Sequence, residues 1–210
     1  MVKVKICGIT NLKDARQAVD EGADFLGFNF YPRSPRYVTP RRARGILRRL
    51  PRKIASVGVF VNEQEDKMLE IARQVGLGHL QLHGEESPAT IAHLARNLPV
   101  IKAVRVRHSF RVAELAHYEH ASAFLLDGFD RRRHGGSGKT FRWNIALRAK
   151  RAGHIFIAGG LTPENVSEAI RSAKPYAVDV CSGVESKPGK KDPALVVKFM
   201  RAVRSSRRAA

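Results

Sequence analysis

The feature that constrains this chain most is the regular alternation of strand-like and helix-like segments along its whole length. Short runs rich in Val, Ile and Phe, bounded by Gly, Pro or polar residues, are predicted to be strands at about 2–7, 23–30, 55–61, 79–83, 100–106, 123–127, 155–158 and 177–181. Helical periodicity occupies the segments between and after them, at about 11–21, 40–50, 63–75, 87–97, 109–118, 142–151, 163–173 and 192–204. The unit recurs roughly every 26 residues, and 210 residues are near the lower limit for eight such units. The pattern predicts an α/β fold, a single (β/α)8 TIM barrel.

The chain shows no internal linker. We expect one catalytic barrel domain over 1–204 and a short basic tail at 205–210. Two cysteines, Cys7 and Cys181, do not make a disulfide framework. No apolar run approaches the roughly 20 residues needed to span a bilayer, and the amino terminus lacks a secretory hydrophobic region. These features predict a cytoplasmic location, reduced thiols and no membrane partner.

The formal net charge of +19 has two interpretations. Arginine clusters lie in 33–52, 131–133 and 201–208, and 25–62 contains no Asp or Glu. Such clusters could bind nucleic acid or attract an anionic substrate. They could equally form a solvated, arginine-rich surface. Most of them lie at helical spacing on a predicted outer helix without interleaved aromatic residues, which favours the solvated surface and no specific nucleic-acid partner.

Polar residues end several of the predicted strands. Because side chains alternate along a strand, Cys7 lies on the same face as Lys5, and Asp127 on the same face as Leu125. The carboxyl ends of barrel strands meet on one face, where such enzymes carry out their chemistry. Cys7 and Asp127 can therefore face each other across one pocket.

Several motifs resemble one family over nearly the whole chain. They include KICGIT at 5–10, QLHG at 81–84, LLD at 125–127, GGLTPENV at 159–166 and SGVESKPGKKD at 182–192. In this order they are similar to phosphoribosylanthranilate isomerases of tryptophan biosynthesis. The resemblance implies an Amadori rearrangement of N-(5-phosphoribosyl)anthranilate to an aminodeoxyribulose phosphate, with no cofactor and no metal.

An Amadori rearrangement needs an acid to open the sugar ring and a base to remove a proton from the second sugar carbon. The resemblance implies that Cys7 is the general base and Asp127 the general acid. Lys5 and the positive field should favour the Cys7 thiolate. The alternatives are an inert core cysteine and a turn or cap aspartate. Asp130 is the rival acid, although it lies beyond the predicted strand end.

The implied substrate is a small anionic molecule with a phosphate and a carboxylate. Glycine-rich turns after the last two strands fit a phosphate site, in which backbone N–H groups bind the anion; they contain Gly159, Gly160, Ser182 and Gly183. The resemblance assigns the carboxylate to Arg36, with Arg33 as competitor. Further residues are expected around the pocket: Gln81 and His83, with His83 as either a pocket or a wall residue, and Asp179 as an orienting group.

Some features depart from the family or stay open. Cys181 stands where the family more often has serine, and it could form a disulfide with Cys7 under oxidation, because strands eight and one are neighbours in a closed barrel. The loop GGSGKT at 135–140 lacks the spacing of a nucleotide-binding loop and is interpreted as a mobile cover of the pocket. A dual-substrate sugar-phosphate isomerase is the rival enzyme. The oligomeric state stays open between monomer and homodimer.

Overall fold

The predicted barrel is present in the structure of the protein, a computed structural model that describes residues 1–107, 109–128 and 143–208. Parallel strands close a barrel in sequence order, β1 to β8, with β8 paired to β1. Their bounds are β1 Lys3–Ile6, β2 Phe25–Asn29, β3 Ala55–Phe60, β4 His79–Leu82, β5 Val100–Arg105, β6 Ala123–Asp127, β7 His154–Ala158 and β8 Ala177–Val180. The fold prediction is confirmed.

The helices lie on the outside of the barrel. Their bounds are α1 Leu12–Asp20, α2 Pro40–Leu47, α3 Glu65–Val75, α4 Pro88–Ala95, α5 Asn144–Ala149, α6 Val166–Ala173 and α7 Pro193–Arg208. Short 3₁₀ segments occur at Val112–Tyr118, Lys150–Ala152 and Ser182–Val184. In the described ranges, no helix combines the length and the apolar character that crossing a membrane requires.

Local signals explain where some of the helices begin. The Asn11 side chain accepts a hydrogen bond from the Asp14 N–H at 2.9 Å, which satisfies a free donor at the start of α1. Ser87 caps α4 in the same way at 3.1 Å from the Thr90 N–H. Each of these two helices thus begins a few residues after the carboxyl end of a strand.

The alternation of side chains along the strands produces two apolar layers. One layer fills the barrel and includes Phe25, Val57, Ile101 and Phe156, all at most 5% exposed. The other lies between the sheet and the helices. A filled barrel has its free space at the carboxyl ends of the strands, here called the mouth.

The structure differs from the sequence prediction in three places. The helix predicted at 109–118 is the 3₁₀ segment Val112–Tyr118, in which only Leu115 is buried, so apolar packing does not support a longer helix. A short hairpin, β9 Glu185–Lys187 and β10 Lys190–Lys191, follows β8. The last helix, predicted to end at 204, extends to Arg208, and its Ser206 is 2% exposed.

Candidate active site

Polar side chains from four strands converge at the mouth. Cys7 directly follows β1, Asp127 is the last residue of β6, and Asp179 lies near the end of β8. Gln81 lies in β4, and His83 follows that strand. Since β6 is three strands from β1 around the closed barrel, Cys7 and Asp127 belong to separate sectors of the mouth.

Cys7 is held tightly by its neighbours. Its N–H donates to the Val180 carbonyl at 2.9 Å, which continues the β1–β8 pairing by one residue. On the other side lies Gly27 of β2, where an added Cβ would be only 2.7 Å from the Cys7 Sγ. The thiol therefore occupies space that only a glycine in β2 leaves available.

A buried ion pair lies below the thiol. Lys5 is fully buried, and its Nζ donates to the Asp179 Oδ1 at 2.9 Å. Burial would lower the pKa of Lys5, but Asp179 and the Cys7 thiolate raise it above its ordinary value. Burial raises the pKa of Asp179 to about 7, against the opposing influence of Lys5. Lys5 thus stays an ammonium beside Cys7.

The surroundings of Cys7 favour its thiolate. The neighbouring Cys181 thiol lowers the pKa of Cys7 most. Burial opposes this effect, and the ammonium groups of Lys5 and Lys191 add to it. These influences hold the pKa of Cys7 well below the ordinary value of a thiol and so favour the thiolate, the form that acts as a base or nucleophile.

Asp127 is coupled to His83 and, through it, to Gln81. The His83 Nε2 lies 3.3 Å from the Asp127 Oδ2, and both side chains are about one quarter exposed, at 26% and 22%. The Gln81 amide nitrogen lies 3.1 Å from the His83 Nδ1. If Nδ1 accepts this hydrogen bond, Nε2 carries the imidazole proton and donates it toward Asp127. His83 thus contacts a predicted catalytic residue rather than only a barrel wall.

Arg36 reaches the mouth from the loop after β2 and is held there by Glu185. The Arg36 Nε lies 2.9 and 3.1 Å from the two carboxylate oxygens, and Nη2 lies 2.6 Å from Oε2. Glu185 also accepts from the buried Lys191 Nζ at 3.0 Å. Arg33, the competitor, is exposed on the same loop. Sequence reasoning missed Glu185 and Lys191, although both lie in the SGVESKPGKKD motif.

The loops after β7 and β8 touch each other. Gly159 and Gly160 have φ values of 86° and 67°, a left-handed conformation that glycine adopts easily. Gly183 packs so closely on the Leu161 carbonyl oxygen that an added Cβ would clash with it. Ser182 begins the 3₁₀ segment beside Gly183. The structure therefore brings the four residues predicted for phosphate binding onto two adjoining turns at the mouth.

Some of the sequence predictions concern residues that the structure does not describe. The GGSGKT loop and Asp130 lie outside the described residues. Across the ranges that the structure describes, no cluster of three or more His, Cys, Asp or Glu side chains is arranged to hold a metal ion. Both cysteines are free thiols.

A closed eight-stranded α/β barrel, with an activated thiol and a histidine-coupled carboxylate at its mouth, defines a (β/α)8-barrel enzyme equipped for acid–base chemistry. The family model of N-(5'-phosphoribosyl)anthranilate (PRA) isomerase matches residues 4–202. The chain belongs to this family. It is an aldose–ketose isomerase, an intramolecular oxidoreductase, of tryptophan biosynthesis, as the motifs predict.

Individual relatives agree over nearly the full length. The N-(5'-phosphoribosyl)anthranilate isomerase of Pelobacter propionicus is 50% identical over 207 residues, which are 99% of this chain and 98% of that protein. The crystal structure of the Thermotoga maritima isomerase has a TM-score of 0.90 at 45% identity, covering 98% of this chain and all of that one. Another isomerase structure holds reduced 1-(o-carboxyphenylamino)-1-deoxyribulose 5-phosphate, with a TM-score of 0.88 at 43% identity and the same coverage.

Proposed function

We propose that Cys7 and Asp127 are the general base and the general acid of the Amadori rearrangement. The reaction converts N-(5-phosphoribosyl)anthranilate into 1-(2-carboxyphenylamino)-1-deoxyribulose 5-phosphate. The observation that carries this assignment is the packing of the Cys7 thiol between β2 and β8, next to the buried Lys5 ammonium, whose charge favours the thiolate.

The reaction then proceeds in two proton transfers. Asp127 gives its proton to the ring oxygen of the sugar, which opens the ring to a protonated Schiff base. The Cys7 thiolate removes the proton from the second sugar carbon, and the resulting enolamine tautomerises to the ketone. The two residues act from separate sectors of the mouth, so each can reach its own atom of one bound sugar.

His83 supports the acid step. Its Nε2 lies 3.3 Å from the Asp127 Oδ2, within reach for a proton to pass between the two groups. After each turnover Cys7 releases to solvent the proton that it removed, and Asp127 regains a proton from solvent by way of His83, so both residues return to their starting forms. Gln81 orients the imidazole from the opposite ring nitrogen at 3.1 Å.

The anionic groups of the substrate bind at two positions. Arg36 binds the anthranilate carboxylate, because its Nε and Nη2 are held by Glu185 while Nη1 makes no hydrogen bond to any described residue. The phosphate binds to backbone N–H groups of the turns that contain Gly159, Gly160, Ser182 and Gly183, as is typical of this fold. Each anion thus meets a donor on a different loop.

The location that fits these features is the cytoplasm. Cys7 must remain a thiol to act as the base, and reducing compartments keep thiols in that form.

The test is a substitution that removes the acid–base group of each residue. Cys7→Ala and Asp127→Asn should each lower kcat by about 10²–10⁴-fold with little change in KM, measured as loss of the fluorescence of the anthranilate substrate. Asp130→Asn tests the rival acid, and Asp20→Asn on the exposed face of α1 is the matched control. A Cys7 or Asp127 variant that keeps kcat within about tenfold of the parent contradicts its assigned role.

A further inference from the structure

A buried ion pair lies behind His83, on the outer side of the barrel. The Lys102 Nζ in β5 donates to the Glu86 Oε2 at 2.7 Å, and both side chains are 3% exposed. Ile101 and Ala103 belong to the apolar layer inside the barrel. Because side chains alternate along a strand, Lys102 points the other way, toward the helices. The ion pair thus faces away from the barrel interior, and no step of the proposed reaction uses it.

The pair holds the backbone of Gly84, the residue directly after His83. The Gly84 N–H donates to both carboxylate oxygens of Glu86, at 3.0 Å each. The Gly84 carbonyl accepts from the Lys102 Nζ at 2.7 Å. On the other side, the His83 N–H donates to the Phe60 carbonyl of β3 at 2.9 Å. The backbone on both sides of the His83 side chain is therefore fixed by hydrogen bonds.

The loop after β3 completes this arrangement. The Asn62 N–H donates to the Glu86 Oε1 at 3.0 Å, and the Asn62 side-chain oxygen accepts from the Glu85 N–H at 2.7 Å. An added Cβ at Gly84 would lie 2.8 Å from the Asn62 N, so the two loops are in close contact. Burial raises the pKa of Glu86, but the hydrogen bonds from Lys102 and from the Asn62 N–H outweigh it and hold the pKa below its ordinary value. Glu86 is thus a carboxylate that accepts from the loops after β3 and β4 and from β5.

We propose that the Glu86–Lys102 pair positions His83 for the acid step. By fixing the backbone at Gly84, the pair holds the His83 imidazole against Asp127 and itself touches no reacting atom. This proposal rests on the proposed role of His83. The His83 Nε2 lies 3.3 Å from the Asp127 Oδ2, and a small rotation of the loop would lengthen this distance. A misplacement of about 1 Å near the reacting groups costs about 10²-fold in rate, so a contact behind the mouth can control the acid step.

The experiment removes both charges together in Glu86→Gln/Lys102→Met, because a single substitution would leave an unpaired buried charge. In this double variant kcat should fall by about 10- to about 10²-fold with little change in KM, measured as loss of anthranilate fluorescence. In a His83→Asn background the same double substitution should cost no more than about twofold, because the side chain that the pair positions is already absent. The matched control is Glu70→Gln/Lys67→Met, which removes an exposed pair on α3 with a Nζ–Oε2 distance of 2.8 Å and should leave kcat unchanged.

A second readout is independent of activity. With isotopically labelled histidine, the nitrogen NMR signals of His83 are identified by their loss in His83→Asn. At about pH 8, where imidazoles are neutral, the parent should show one tautomer with the proton on Nε2. In Glu86→Gln/Lys102→Met the signals should shift toward a mixture of both tautomers, because the ring is no longer held in one orientation.

A milder variant keeps the test informative if the double variant does not fold. Asn62→Gly removes only the hydrogen bond to the Glu85 N–H, and glycine tolerates the left-handed backbone at this position, where φ is 50°. It should change kcat and the His83 signals in the same direction. Equal losses of kcat with and without His83 would overturn the proposal, as would unchanged His83 signals. An unchanged kcat in His83→Asn would refute the role of His83 in the acid step and, with it, the catalytic effect of the pair.

Discussion

A single methyl group at Gly27 should disable the enzyme while leaving its fold in place. Gly27 lies in β2 beside Cys7, and its backbone is in an ordinary extended strand. The substitution Gly27→Ala is therefore unfavourable only because the added methyl group has too little room beside Cys7. The added Cβ would lie 2.7 Å from the Cys7 Sγ, 3.1 Å from its Cα and 3.2 Å from its Cβ.

The size of the effect follows from these distances. Nonbonded heavy atoms prefer separations of about 3.5–4.0 Å, so the Sγ must retreat by roughly 1 Å. Rotation of the side chain does not relieve the contact with the Cα, so the two strands must also separate slightly. A displacement of about 1 Å of a reacting group costs about 10²-fold in rate. Overpacking should cost about 1–3 kcal/mol of stability, which lowers Tm by roughly 2–12 °C in a domain of this size.

The assay is the initial rate of anthranilate fluorescence loss at saturating substrate, together with thermal unfolding. Gly45→Ala is the matched control, because an added Cβ there meets nothing within 4 Å. It lies in α2, where alanine should stabilise the helix by about 0.5–1 kcal/mol and leave kcat unchanged. A Gly27→Ala enzyme with kcat within about threefold of the parent would refute the argument that the position of Cys7 limits the rate.

The remaining predictions concern the arginine and the two thiols. Arg36→Met should raise KM for the anthranilate ester and weaken the binding of carboxylate-bearing product analogues, while the binding of inorganic phosphate stays unchanged. Arg33→Met should change neither KM nor the binding of the analogues. The reverse pattern would assign the carboxylate site to Arg33. Hydrogen peroxide should inactivate the enzyme reversibly, as Cys7 is oxidised to a sulfenic acid and Cys181 displaces water from it to form a disulfide. Dithiothreitol should restore activity, and Cys181→Ser should lose this reversible phase; equal reversibility in that variant would exclude the disulfide.

Much of the fold was predictable because its signals are local. The strands are short, almost continuously buried apolar runs bounded by Gly, Pro or polar residues, and most helices bury one face every three to four residues. Both signals are visible in one sequence. The weak elements were predicted least well. The 3₁₀ segment Val112–Tyr118 has a single buried apolar anchor, and the hairpin at Glu185–Lys191 has no alternating apolar pattern at all.

Part of the site was predictable for the same reason. Alternation along the strands predicts that Lys5 and Cys7 share one face of β1, and that Leu125 and Asp127 share one face of β6. The strand ends of a barrel then bring these residues to one mouth. The sequence by itself thus determined which residue types gather there, and the motifs determined the family.

Only the tertiary structure decided which of these side chains touch. The Arg36–Glu185 pair joins residues 149 positions apart, and the Lys5–Asp179 pair joins residues 174 positions apart. No local period specifies such contacts, because they depend on how the barrel closes and on the register of β8 against β1. The pKa shifts of Cys7 and Asp179 follow from those contacts and from burial. The free energy of ionising a side chain depends on the groups that surround it in space, and not on its neighbours in sequence.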